Sequence, residues 1–119
     1  MHAACHEALL ACEDVVRPGA TLGEVFATHA RVLDRAGYRE HRLNACGYGM
    51  GAVYAPVWTD WPMIYEGNPL VFEAGHVFFL HMILLDFGSQ RAMTLGHTVV
   101  VTDTGRERLS RSDLDLVVA

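Results

Sequence analysis

The residue best placed to do chemistry is His81, which interrupts the apolar run His76-Val-Phe-Phe-Leu-His-Met-Ile-Leu-Leu85. An imidazole titrates at about pH 6.5 in water. Among apolar neighbours it must be neutral or partnered, because burial lowers its basicity and a carboxylate raises it. Two roles fit: proton transfer or ligand contact at a site, or a core histidine bonded to backbone. A second concentration of chemistry is the segment Tyr54, Trp58, Asp60, Trp61 and Tyr65, which sets aromatic rings around one acid. Ring faces attract cations, so this segment suits a cationic or cyclic-amide ligand. It also reads as packing or a subunit contact, with Asp60 and Glu66 as solvated loop charges. Upstream, Gly47-Tyr-Gly-Met-Gly51 lets backbone approach a neighbour or ligand closely. It lacks the Lys-Ser/Thr of a phosphate loop and no helical pattern follows, which argues against nucleotide binding.

The remaining reactive residues read as structural. Cys5, Cys12 and Cys46 are odd in number and have no CxxC spacing, against a disulfide framework or zinc knuckle and for reduced thiols in a reducing compartment. Cys5 and Cys12 share one helix face and suit packing. His29 lies in an apolar helical stripe and reads as packed or interfacial.

The elements that position these groups follow from periodicity. Ala4, Ala8, Leu9, Cys12, Val15 and Val16 recur at helical spacing from about Ala3 to Val16, and Pro18-Gly19 stops the run. Thr21-Leu-Gly-Glu24 predicts a capping box, followed by the stripe Leu22, Phe26, His29, Leu33 and Ala36 and a glycine cap at Gly37. The second half reads as strands. Residues 76–85 are apolar on both alternating faces, the pattern of a central strand covered on both sides. Asp86-Phe-Gly-Ser-Gln90 supplies a turn. From Met93 to Thr102 the chain alternates threonine and glycine with Met93, Leu95, His97, Val99 and Val101, predicting a long antiparallel hairpin. That alternation puts His97 opposite to Thr94, Gly96 and Thr98, away from any site they line.

Composition sets outer bounds. The 119 residues and 51% hydrophobic content suit one compact soluble unit. All nine basic residues are arginines against fourteen acids, a formal charge of -5 with no basic cluster, so nucleic acid is an unsuitable partner. The start Met-His-Ala-Ala-Cys-His-Glu lacks the basic flank and apolar stretch of a secretion signal, and no segment suggests a membrane span, so a cytoplasmic location is expected.

Three motifs in order then carry a resemblance: Gly47-Tyr-Gly-Met-Gly51, Ala74-Gly-His-Val-Phe-Phe-Leu-His-Met82, and Gly96-His-Thr-Val-Val-Val-Thr-Asp-Thr-Gly105. They resemble the motifs of the pita-bread hydrolases (methionine aminopeptidase, Xaa-Pro peptidases, creatinase, ectoine hydrolase). In the metallopeptidases these run Gly-His-Gly-Ile-Gly, Pro-Gly-Met-Val-Phe-Thr-Ile-Glu-Pro and Glu-His/Asp-Thr-Val-Leu-Val-Thr-x-x-Gly. With the helices around Arg17-Pro-Gly19 and the following Ala36-Gly-Tyr38, the resemblance covers nearly the whole chain. It implies an α+β fold: residues 1–119 as the C-terminal half of a pita-bread domain, two helices packed on a curved antiparallel sheet.

On this alignment the family's ligand histidine becomes Tyr48, its two ligand glutamates become His81 and Gly96, and a proton-handling histidine falls on Ala55. Its two aspartate ligands belong to the preceding half of the domain. Tyr48, His81 and Gly96 offer at most one good nitrogen ligand for a dinuclear centre, so no metal and no cofactor are expected. The segment Ala52-Val-Tyr-Ala-Pro-Val-Trp-Thr-Asp60 looks similar to the Gly-Tyr-Pro-Pro-Asp-Trp segment of ectoine hydrolase and its neighbours. The metal-independent creatinase and ectoine-hydrolase branch is thus the nearest resemblance.

The resemblance implies hydrolysis of a C–N bond in a small-molecule or peptide-like substrate, once the missing half of the domain is supplied. His81 is the candidate catalytic proton-transfer group; Tyr48 and Thr94 line the site; Tyr54, Trp58, Asp60 and Trp61 contact substrate. A non-catalytic interaction module or pseudoenzyme is the competing reading, and an active metalloaminopeptidase a third. Half a domain leaves apolar area and strand edges uncovered, so a homodimer or pairing with the missing half is expected.

Overall fold

The computed structural model describes residues 1–51, 54–57 and 59–118. Two helices, α1 (His2–Val15) and α2 (Leu22–Arg35), precede five strands: β1 (Ala45–Gly49), β2 (Asp60–Tyr65), β3 (Val77–Asp86), β4 (Arg91–Val101) and β5 (Arg106–Arg108). The strands form one antiparallel sheet in the order β2-β1-β3-β4-β5, with β3 at its centre.

Local sequence explains each boundary. Helix α1 buries Ala4, Cys5, Ala8, Leu9 and Cys12 and ends before Pro18 and Gly19, the latter at φ 82°, where a side chain is disfavoured. Helix α2 opens on the expected capping box: the Glu24 amide donates to Thr21 Oγ1 at 3.1 Å, and the Thr21 amide donates to the Glu24 carboxylate at 2.6 Å. Those two bonds satisfy amides that the first helical turn leaves unpaired. It ends at Ala36 and Gly37, whose φ of 85° suits the predicted C-terminal cap.

The β3–β4 hairpin is the longest pairing, running in unbroken register from Val77 opposite Val100 to Asp86 opposite Arg91. Its turn is fastened by Asp86, which accepts from the Ser89 amide at 3.1 Å and the Ser89 hydroxyl at 2.6 Å. On the helix side, Phe78, Leu80, Met82 and Leu84 of β3 and Val99 and Val101 of β4 are buried against Leu9, Cys12, Leu22, Val25 and Leu33. Each such side chain contributes roughly 1.5–3 kcal/mol by leaving water.

The other face differs from the sequence expectation of a strand covered on both sides. Val77, Phe79, His81, Ile83 and Leu85 are only half-buried, because both helices pack on the opposite face. Apolar alternation on both faces reports what the strand prefers to contact; this chain supplies a cover for one of them. Among the described residues no helix is long and apolar enough to cross a membrane.

Candidate functional site

The half-covered face of the sheet collects three of the residues singled out in the sequence. Tyr48 of β1, His81 of β3 and Thr94 of β4 lie on neighbouring strands with side chains on that face. In register, Tyr48 is paired with Phe79, His81 with Gly96, and Ile83 with Thr94. His81 Nε2 and Thr94 Oγ1 are hydrogen-bonded at 2.5 Å. His81 therefore has a side-chain partner rather than the backbone partner of the core-histidine reading. Burial holds the His81 pKa below the ordinary histidine value, so the ring is neutral at neutral pH. In the tautomer that donates Nε2–H to the Thr94 hydroxyl, the Nδ1 lone pair is the basic position.

Rings flank this pair. The Phe79 and His81 ring centroids are 5.0 Å apart and those of Tyr48 and Phe79 are 5.5 Å apart. His81 separates two shallow cavities. One, of about 260 Å³, is walled by Leu43, Tyr48, Thr59, Met63 and Ile83; the other, of about 270 Å³, by Ile83, Leu85, Met93 and Thr94. The geometry thus offers one neutral imidazole, one hydroxyl and apolar walls, which suits proton transfer to a mostly apolar ligand.

The aromatic segment does not converge on His81. Trp61 is 69% exposed and lines a separate cavity with Gly49, Met50, Pro62 and His76. Tyr54 is 87% exposed and lies outside the strands. Asp60 opens β2 opposite Gly49. Trp58 lies outside the described residues.

Two arrangements were missed by sequence reasoning. Phe79 stands where the family motif has threonine, and its ring lies over Gly96: a Cβ at position 96 would collide with the Phe79 ring and come within 2.8 Å of the Leu80 carbonyl oxygen. A large residue at 79 beside a glycine at 96 was the available signal. The second is His97. It is buried on the helix side, as alternation predicted, with Nδ1 hydrogen-bonded to the buried carboxylate of Glu13, which also accepts from Arg108 Nη2 at 2.6 Å. Only the rarity of buried acids hinted at this cluster.

The sequence pattern of metallopeptidase family M24 matches residues 1–103. The chain belongs to this family. Among curated proteins it is 33% identical over 112 residues to agropine synthesis cyclase from Rhizobium rhizogenes, covering 91% of this chain and 26% of that protein. It is 29% identical over 114 residues to the Xaa-Pro dipeptidase of Lactobacillus helveticus, covering 94% and 29%. Dipeptidase PepE from Mycobacterium ulcerans superposes with a TM-score of 0.85 at 30% identity, over 97% of this chain and 30% of that one. Xaa-Pro dipeptidase from Bacillus anthracis gives 0.88 at 20% identity, over 99% and 32%, a likeness of fold. The chain therefore spans about a third or less of the length of these relatives and structures.

Metallopeptidases of this family bring a divalent metal centre into question, and the positions present here do not fit one. Position 96 has no room for a carboxylate, His81 Nε2 is engaged by Thr94, and Tyr48 offers a phenol. Among the described residues no three His, Cys, Asp or Glu side chains are grouped to hold a metal ion.

Proposed function

We propose that this chain is the C-terminal part of an M24-family hydrolase domain that cleaves a C–N bond of a small-molecule or peptide-like substrate without metal, in the manner of the creatinase and ectoine-hydrolase branch. The observation that carries the proposal is the His81–Thr94 pair on the open sheet face, at a centre whose glutamate positions hold histidine and glycine. The 33% identical relative is named for a cyclisation in agropine synthesis rather than for peptide cleavage, which supports a small-molecule substrate.

In this mechanism neutral His81 takes a proton from water at Nδ1 while the water oxygen attacks the substrate carbon. The C–N bond breaks, and the imidazolium returns its proton to the leaving nitrogen. Thr94 fixes the ring through Nε2, Tyr48 walls the substrate, and Tyr54 and Trp61 contact its more distant parts. The half-covered face receives the preceding part of the domain or a second copy of the chain.

The test uses the full polypeptide that carries this chain. Treated with chelator and shown by elemental analysis to hold no stoichiometric divalent ion, it should turn over a C–N substrate from a panel of amides, amidines and guanidines. Activity that vanishes with chelation and returns with manganese, cobalt or zinc refutes the metal-free reading.

A further inference from the structure

We infer that Phe79 shapes the centre of the site: its ring closes position 96 to any side chain, carboxylates included, and backs the His81 imidazole, making Phe79 the positioning residue for His81.

The placement follows from register. Phe79 and His81 are two apart on β3 and share the open face, while Gly96 lies directly across from His81 and diagonal to Phe79. Diagonal neighbours on antiparallel strands are within reach of an aromatic side chain. The Phe79 ring uses that reach, covering the space a Cβ at 96 needs and standing 5.0 Å from the His81 ring centroid. Tyr48 supports it from the other side at 5.5 Å. The imidazole is thus held between a ring contact and the 2.5 Å bond to Thr94.

Set beside the family motifs, the exchange is complementary: a large ring replaces threonine at 79, and glycine replaces glutamate at 96. Packed interiors tolerate volume-conserving exchanges and resist unilateral enlargement. The Phe79 ring therefore adds to the obstruction by the Leu80 carbonyl, and a glutamate introduced at position 96 alone meets both.

The role of His81 in turnover rests on the function proposed above, but the packing relation does not, so the test avoids turnover. Thermal unfolding is compared in the parent protein, Gly96→Ala, Phe79→Thr and the double variant. Gly96→Ala should lower Tm on the order of 10 °C in the parent and by clearly less in the Phe79→Thr background. The Leu80 carbonyl obstructs position 96 in both backgrounds and cancels in the comparison. Equal losses overturn the obstruction by Phe79. NMR titration of the His81 ring supplies a readout that packing at 96 alone does not move. Its midpoint should rise toward the ordinary histidine value in Phe79→Thr, where the ring cover is gone, and stay near the parent value in Phe79→Leu. An unchanged midpoint in Phe79→Thr refutes the positioning role, and this arm remains decisive if Gly96→Ala does not fold.

Discussion

Glu13 and His97 meet between α1 and β4 although 84 residues separate them, and both are out of solvent, at 2% and 0% exposure. Burial by itself would raise the Glu13 carboxyl. The hydrogen bonds and charge supplied by Arg108 and His97 outweigh it and hold the group below the usual carboxylate range. One acid thus ties the first helix to the fourth and fifth strands, aided at the surface by Arg106 donating to Asp14 at 2.7 Å.

Removing the cation should expose the cost of that acid. Arg108→Met leaves Glu13 with His97 as its remaining partner, and a loss of about 1–3 kcal/mol is expected, discounted for the partial exposure of the arginine. Because the folded Glu13 pKa is depressed, its contribution is full above the ordinary glutamate value and is lost as pH falls through the folded one. Glu13→Gln should flatten that acid limb in Tm measured against pH; an unchanged profile contradicts the assignment.

His29 should behave in the opposite sense to a paired histidine. Both ring nitrogens are buried without a hydrogen-bond partner, and burial, with a smaller contribution from Arg42, lowers its pKa to about 4. Below about pH 6.5 the unfolded chain takes up a proton that the folded chain refuses, so stability falls by about 3 kcal/mol between there and about pH 4. His29→Leu should remove this slope and raise stability at pH 7 by about 1 kcal/mol. A variant that unfolds more readily at neutral pH would show that the imidazole has a partner after all.

For His81, the expected result is a loss of turnover on the order of 100- to 10,000-fold in His81→Asn with the fold retained. Its depressed pKa sets the sign of the pH dependence: kcat/KM, which needs the neutral base, should fall only as pH drops below the ordinary value of 6.5. Full activity in the asparagine variant, checked by circular dichroism for folding, would remove His81 from the mechanism.

The capping box provides a local control away from the site. Thr21→Ala deletes the hydroxyl that accepts from the Glu24 amide and should cost about 1 kcal/mol in denaturant unfolding without altering ligand binding. A change below a few tenths of that figure would mean that water replaces the cap.

What was legible in the sequence was mostly local. The helix ends at Pro18 and Gly37, the Thr21–Glu24 box and the Asp86–Gln90 turn are each written within a few residues, and the structure places them as expected. The common face of Tyr48, His81 and Thr94 followed from the motif resemblance, with strand alternation adding only that Thr94, Gly96 and Thr98 lie together, opposite His97. The dispersal of Trp61 and Tyr54 did not. The β1–β2 pairing is irregular between Ala45 and Tyr48 and again between Tyr48 and Gly49, and such shifts re-aim side chains without a mark in the sequence. The Glu13–His97–Arg108 cluster was illegible because its members lie far apart in the chain and no spacing rule joins them.

The short turn from Phe87 to Gln90 also governs which residues belong to the site at all. One residue added between Gln90 and Thr94 would reverse the parity of β4, turning Thr94, Gly96 and Thr98 toward the helices and His97, Val99 and Val101 toward the open face. The chain cannot keep both its apolar core and its His81–Thr94 pair through such an insertion unless the extra residue is expelled as a bulge. Length variation among relatives of this chain should therefore avoid that interval, or enter it two residues at a time.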